Sequence, residues 1–213
     1  MKNQSFFLKI LLVAVGTCVC LSGWSQPPLR STTQLHEGDL IFHVAPQENA
    51  ITQSTEHMGD YRLDHVAIFF RHNGQPAVVE AIEKGVVVTP IDSFVKSGEQ
   101  YLIGRLTQKF KRRETISNAL QYLGRAYDFY FLPDNEAIYC SELVLLSFVD
   151  KHGQFIFQPI PMSFHDASGQ ILPYWLDHYA QAGLKVPEGA PGSNPTELAK
   201  RKNIRLFKLN IER

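Results

Sequence analysis

Cysteine is scarce in this chain of 213 residues: there are three, and Cys18 and Cys20 lie in an N-terminal apolar run. A disulfide framework is therefore excluded as the source of stability, and a chain of this length buries a sizeable core without one. Net charge is also lacking, with 21 basic residues against 21 acidic, so nothing asks for nucleic acid or an anionic membrane surface as partner. The histidines form no HExxH pair and Cys140 has no neighbouring thiol to complete a zinc motif, so no metal is expected. Neither a GxSxG elbow nor a phosphate-binding glycine loop occurs, and no cofactor is expected.

Long hydrophobic stretches are confined to Phe6 through Leu21, which follow Lys2 and precede the small residues Gly23 and Ser25. This is the pattern of a secretory signal peptide, with cleavage expected before Gln26. An uncleaved anchor is the alternative, although a span needs about 20 apolar residues and other flanks. Lipidation at Cys18 or Cys20 calls for a small residue just ahead of the cysteine, where Thr17 and Val19 stand. The expectation is a signal peptide over 1–25 and one domain over 26–213, exported to the periplasm or cell envelope, with no stable membrane span after cleavage. Cys140 is then the single cysteine of the mature chain, in a compartment where thiols tend to be oxidised. A buried small apolar residue is the ordinary fate of such a thiol, and its neighbours decide otherwise.

A turn at His36-Glu37-Gly38-Asp39 leads into a strand near Leu40, and the polar stretch Ala45 to Arg62 reads as a long loop with one short helix. Three β-rich runs follow, His65 to Phe70, Ala77 to Ile82 and Val86 to Ile91, as an antiparallel meander, with a further strand over Tyr101 to Leu106. Ile116, Ala119, Leu120 and Leu123 recur at helical spacing before Gly124, predicting an amphipathic helix over Glu114 to Leu123. Ser141 to Val149 is apolar almost all round, which predicts a buried central helix with Cys140 at its N-terminus. A helix near Ile171 to Ala182, a short helix capped by Asn194 with Pro195 in its first turn, and a last strand over Asn203 to Ile211 complete an α+β chain.

A thiol is a nucleophile as thiolate, and a helix N-terminus or a histidine favours that form. The partner follows from hairpin arithmetic. A two-residue turn at Asn73-Gly74 pairs positions whose numbers sum to 147, so that Ala67 faces Glu80 and His65 faces Ile82. His65 and Glu80 then share a sheet face as diagonal neighbours; a three- or five-residue connection would separate them. Glu80 interrupts the apolar run Val78-Val79-Ala81-Ile82, and a buried carboxylate requires a partner. Bonded to one imidazole nitrogen, it would fix the tautomer of His65 and leave the other nitrogen for the thiol. Cys140 as nucleophile, His65 as base and Glu80 as orienter are the candidate catalytic residues, favoured over the seven other histidines by the position of His65 beside Glu80.

Gly38-Asp39-Leu40-Ile41-Phe42, Asp64-His65-Val66-Ala67-Ile68, Val79-Glu80-Ala81, Leu123-Gly124-Arg125-Ala126-Tyr127-Asp128 and Tyr139-Cys140-Ser141-Glu142-Leu143-Val144 occur in that order. The ordered set resembles the circularly permuted papain-like, NlpC-type cysteine hydrolases of the YiiX-like group, in which the histidine strand precedes the cysteine helix. The resemblance covers roughly Gly38 to Val149. It implies an antiparallel sheet or barrel packed against the cysteine helix, places Cys140, His65 and Glu80 on the family's catalytic triad, and puts Tyr127 where a tyrosine can help shape an oxyanion or substrate-binding site. The backbone N–H of Cys140 is the alternative oxyanion donor, with Tyr127 as a packed aromatic.

The expected function is a cysteine amidase or peptidase working through an acyl-enzyme on an amide or ester, with a small peptide, an acylated amino acid or a lipid-like molecule as substrate. An acyltransferase similar to lecithin retinol acyltransferase and a non-catalytic envelope binding module are the alternatives. Oligomeric state is left open.

Overall fold

The computed structural model describes residues 26–210 except Ser97, Asp134 and Asn135; the expected signal peptide, 1–25, lies outside the described residues. The apolar, β-branched runs form six strands: β1 (Leu40–Val44), β2 (Leu63–His72), β3 (Gln75–Ile82), β4 (Gly85–Pro90), β5 (Gln100–Leu106) and, at the C-terminal end, β8 (Ile204–Leu209). They make one antiparallel sheet in the order β4-β3-β2-β1-β5-β8. It is an open sheet with β4 and β8 at its edges, the first of the two shapes expected for it. A separate two-stranded ribbon pairs β6 (Ile160–Pro161) with β7 (Pro191–Gly192).

Alternation along the strands gives the sheet two buried faces. Leu40, Phe42, Val66, Ile68, Val79 and Leu102 point to one core, which α4 (Cys140–Ser147) covers through Leu143 and Val144, with Phe148 just beyond it. Ile41, Ala67, Phe69, Val78 and Ile103 face a second core under Leu29, Leu35 and the short helix α2 (Ile91–Phe94), which the sequence did not signal. The remaining helices are α1 (Ala50–Gln53) in the long loop, α3 (Arg112–Leu120), α5 (Pro173–Gln181) and α6 (Pro195–Ala199), the last capped by Asn194 through its Oδ1. The architecture is α+β, as expected.

The β2–β3 turn is the two-residue one: His72 pairs with Gln75, and Asn73 and Gly74 both take positive φ, 50° and 81°. Every pair in that ladder sums to 147, but the ladder stops at Ile68 and Val79, one pair short of Ala67 and Glu80. Beyond it β2 continues on β1 as far as Leu63 and β3 continues on β4 as far as Ile82. The helix after it differs from its prediction. α3 ends at Leu120, and Leu123 is exposed rather than packed, because the chain tightens into i→i−3 turns and Gly124 donates its N–H to Val86 O, 2.9 Å.

Candidate active site

Cys140 opens α4, in its first turn, where helical N–H groups have no carbonyl of their own helix to meet. It is 4% exposed and the free cysteine of the described residues. The apolar residues that follow seat α4 against β2 and β3, and this packing holds the thiol at the end of the sheet where the β2–β3 ladder stops.

His65 stands on β2 and Glu80 on β3. The imidazole Nε2 lies 2.7 Å from Glu80 Oε2, and the Thr89 hydroxyl donates to the other oxygen, Oε1, at 2.5 Å. Both oxygens of this buried carboxylate are thus satisfied, which is what makes its burial tolerable. With Nε2 committed to Glu80, Nδ1 is the nitrogen left for the thiol. Burial opposes a charge on His65, yet the neighbouring Cys140 and Glu80 outweigh it, and the ring is pushed up to about 10. Of the three candidate residues, His65 and Glu80 are joined by a hydrogen bond, and Cys140 is the neighbour that acts with Glu80 on the imidazole.

Tyr127 comes from the loop after α3. That loop is pinned to β4 by Val86 N–H donating to Arg125 O at 2.9 Å, and to the approach of α4 by Ile138 N–H donating to Ala126 O at 2.9 Å. Burial, then the neighbouring Cys140, push the Tyr127 hydroxyl well above the usual tyrosine range, so it stays a donor. Gly85 makes the pinning possible: at φ 97°, an added Cβ would lie 2.4 Å from Arg125 O.

Several residues were missed from sequence. Asp64 is one. His43 pairs with His65 but Val44 pairs with Leu63, so Asp64 is the extra residue of a β-bulge beside the base. Its Oδ1 lies 2.7 Å from His43 Nδ1, and its Oδ2 accepts from Asn49 Nδ2 at 2.9 Å. Asn49 also caps α1, so Asp64 ties the long loop to β2 next to His65. Thr89 is another, and it had a signal: the tight β3–β4 turn pairs Thr89 with Val78, which places it diagonally from Glu80 on the same face. Asp128, 3% exposed, accepts the N–H of Tyr130 at 2.8 Å and that of Leu132 at 2.7 Å and so shapes the next loop.

Two cavities open on these residues. One, of about 50 Å³, reaches Cys140 and is walled by Phe131, Tyr139, Met162, Phe164 and Trp175. The other, of about 440 Å³, reaches His65 and Glu80 and is bordered by Thr89, Lys96 and Glu99. Ile51 of α1 and Asp64 border both.

Residues 34–207 match the family model described as permuted papain-like amidase enzyme, YaeF/YiiX, C92 family. The chain is 31% identical over 151 residues to the uncharacterized protein YiiX of Escherichia coli (strain K12), an alignment covering 68% of this chain and 65% of that protein's length. In three dimensions it is similar to a crystal structure of metalloprotein yiiX from Escherichia coli O157:H7, with a TM-score of 0.65, 21% identity, and coverage of 84% of this chain and 98% of the other. Among the described residues no group of three or more His, Cys, Asp or Glu side chains is placed to hold a metal ion. The matched span runs from ahead of β1 into β8 and takes in β2, β3, β4 and α4, which carry His65, Glu80, Thr89 and Cys140, and the chain belongs to the permuted papain-like amidase family.

Proposed function

We propose that the chain is an exported cysteine amidase in which Cys140 is the nucleophile, His65 the acid and base, and Glu80 the residue that positions His65. The observation that supports this reading is the imidazole of His65 bonded at 2.7 Å to the buried carboxylate of Glu80, with Cys140 the other neighbour that favours its charged form. The thiolate adds to the substrate carbonyl carbon. The backbone N–H of Cys140, at the start of α4, and the Tyr127 hydroxyl are the donors assigned to the resulting oxyanion. The C–N bond breaks as His65 gives its proton to the departing amine, leaving a thioester on Cys140. Water then gives a proton to His65 and attacks the thioester; the C–S bond breaks and the acid leaves. The apolar leader Phe6 to Leu21 supports a cell-envelope substrate, a peptide or an acylated amino acid.

The test is the rate of iodoacetamide alkylation of Cys140 against pH in the mature protein. Wild type is expected to react quickly at about pH 6 to 7. In folded His65→Ala the profile is expected to move to that of a free thiol, near pH 8.5, and in Glu80→Ala part of the way. An inert Cys140 in all three proteins overturns the catalytic reading.

A further inference from the structure

The cavity beside Cys140 and the cavity beside His65 differ in chemistry, and the proposed reaction assigns a side to each. His65 must touch the atom that departs, so the leaving amine lies on the His65 side, toward the polar cavity with Glu99, Lys96 and Thr89. The acyl half bonds to sulfur and extends the other way, into the aromatic cavity that Cys140 opens onto.

That aromatic cavity is small and shaped by fixed walls. By the same measure of volume one water needs about 10–15 Å³, so the 50 Å³ here admits roughly four heavy atoms, the size of a leucine or valine side chain. Its walls are held: Trp175 donates to Ser54 Oγ at 2.7 Å, and Phe131 packs edge-on against Tyr139 and Trp175, with ring centroids 5.1 and 5.7 Å apart. Phe131 has a positive φ, 47°, a costly conformation for an aromatic residue, in the loop that Asp128 shapes through two N–H groups. A long alkyl chain has no room to coil here.

The lining is not wholly apolar. Ser141 and Ser193, 1% and 4% exposed, both border the cavity, and neither hydroxyl has a hydrogen-bond partner among the described residues. An unpaired buried hydroxyl is costly, and one on a residue that lines a cavity beside a nucleophile is a group that a bound ligand can satisfy. A plain hydrocarbon would leave both unsatisfied. A peptide group next to the scissile carbonyl would satisfy them.

We infer that the acyl half of the substrate is a small apolar aminoacyl residue, its side chain among Phe131, Met162, Phe164 and Trp175 and its own amide on the Ser141 and Ser193 hydroxyls. This rests on the cysteine amidase reading and narrows it: the enzyme takes N-acylated or peptidyl amides of leucine-sized residues and rejects both acidic residues and fatty acyl groups.

Chloromethyl ketones read the acyl side alone, because they alkylate Cys140 without a leaving amine. The mature protein is treated with acetyl-leucyl, acetyl-glutamyl, n-decyl and branched-alkyl chloromethyl ketones, the last lacking the acetamido group, and each rate is divided by the iodoacetamide rate. The acetyl-leucyl ratio is expected to exceed the acetyl-glutamyl and n-decyl ratios by about tenfold or more. Ser193→Ala is expected to lower the acetyl-leucyl ratio about three- to tenfold and to leave that of the branched-alkyl probe in place. Ser163→Trp, a change at an exposed position on the cavity's rim, is expected to lower the acetyl-leucyl ratio about tenfold by closing the mouth. Equal ratios for leucyl and decyl or glutamyl probes, or a Ser163→Trp protein with an unchanged leucyl ratio, overturn the inference while iodoacetamide still reports an active thiol. A Cys140 inert even to iodoacetamide removes the amidase reading, and this inference with it.

Discussion

Thr89 holds the Glu80 oxygen that His65 does not use, its hydroxyl donating at 2.5 Å from the edge strand β4. The carboxylate is thereby fixed from two sides, and the plane it offers to Nε2 is set by a residue two strands away from the histidine. Thr89→Val keeps the β-branched shape and removes the donor, leaving Glu80 Oε1 buried and unpaired. The expected cost is about 1–3 kcal/mol of stability in urea unfolding, with a fall in amide turnover, while Thr89→Ser restores both. Equal stability for the valine and serine proteins would show that the hydroxyl does nothing for Glu80.

The charge on His65 gives a pH dependence whose sign follows from the shift. Its folded value is raised from 6.5 to about 10, so its contribution to stability is fully present below about pH 6.5 and is lost as pH rises through about 10. Cys140→Ala and Glu80→Gln each remove one of the two influences that outweigh burial, so in each variant the ring is expected to titrate lower than in wild type. Histidine ring NMR from pH 5 to 10 follows this directly. Urea unfolding over the same range should show the loss of stability set in at lower pH in the Glu80→Gln protein. A His65 that titrates near 6.5 in wild type would remove the basis for a charged resting ring.

What was legible in the sequence was what local chemistry fixes. Asn73-Gly74 specifies a two-residue turn, the turn specifies parity, and parity puts His65 and Glu80 on one face. The apolar run after Cys140 specified a buried helix, because no side of it could be left in water. Asp64 was hidden, since its partners His43 and Asn49 lie 21 and 15 residues upstream and its position in a bulge breaks the alternation that would have given its direction. The end of α3 at Leu120 rather than Leu123 is not legible in the sequence, because the competing bond, from Gly124 to Val86 O, is a tertiary one that helical periodicity does not contain.

The tie from Asp64 to Asn49 holds the start of α1 beside His65, alongside the bond from Trp175 to Ser54 Oγ at the other end of that helix. Asp64→Ala removes the acceptor of Asn49 Nδ2 and the partner of His43 Nδ1, whereas Asp64→Asn keeps an acceptor for one of them. Hydrogen exchange is expected to quicken at the α1 amides of Gln53 and Ser54, which donate to Asn49 O and Ala50 O, and to remain slow in the β3–β4 ladder. Amide turnover should fall mainly through a higher KM, since Ile51 of α1 borders both cavities. Unchanged exchange at α1 would mean that the loop is held by its other contacts.

Gly85 links the edge of the sheet to Tyr127, and its replacement separates backbone strain from the chemistry of the side chains. At φ 97° an alanine is disfavoured by its own backbone, and its Cβ would sit 2.4 Å from Arg125 O, in the segment that pairs with Val86 and carries Tyr127 toward Cys140. Relief requires that segment to move away from β4. Gly85→Ala is therefore expected to destabilise the protein by about 2 kcal/mol or more. Its remaining folded fraction should lose amide turnover more than it loses iodoacetamide alkylation, because Cys140 and His65 are anchored by α4 and β2 while Tyr127 is not. Tyr127→Phe, which leaves the loop in place, should reproduce the loss of turnover without the loss of stability. If Tyr127→Phe turns over amides at the wild-type rate, the tyrosine packs the loop and the oxyanion is held by the start of α4 alone.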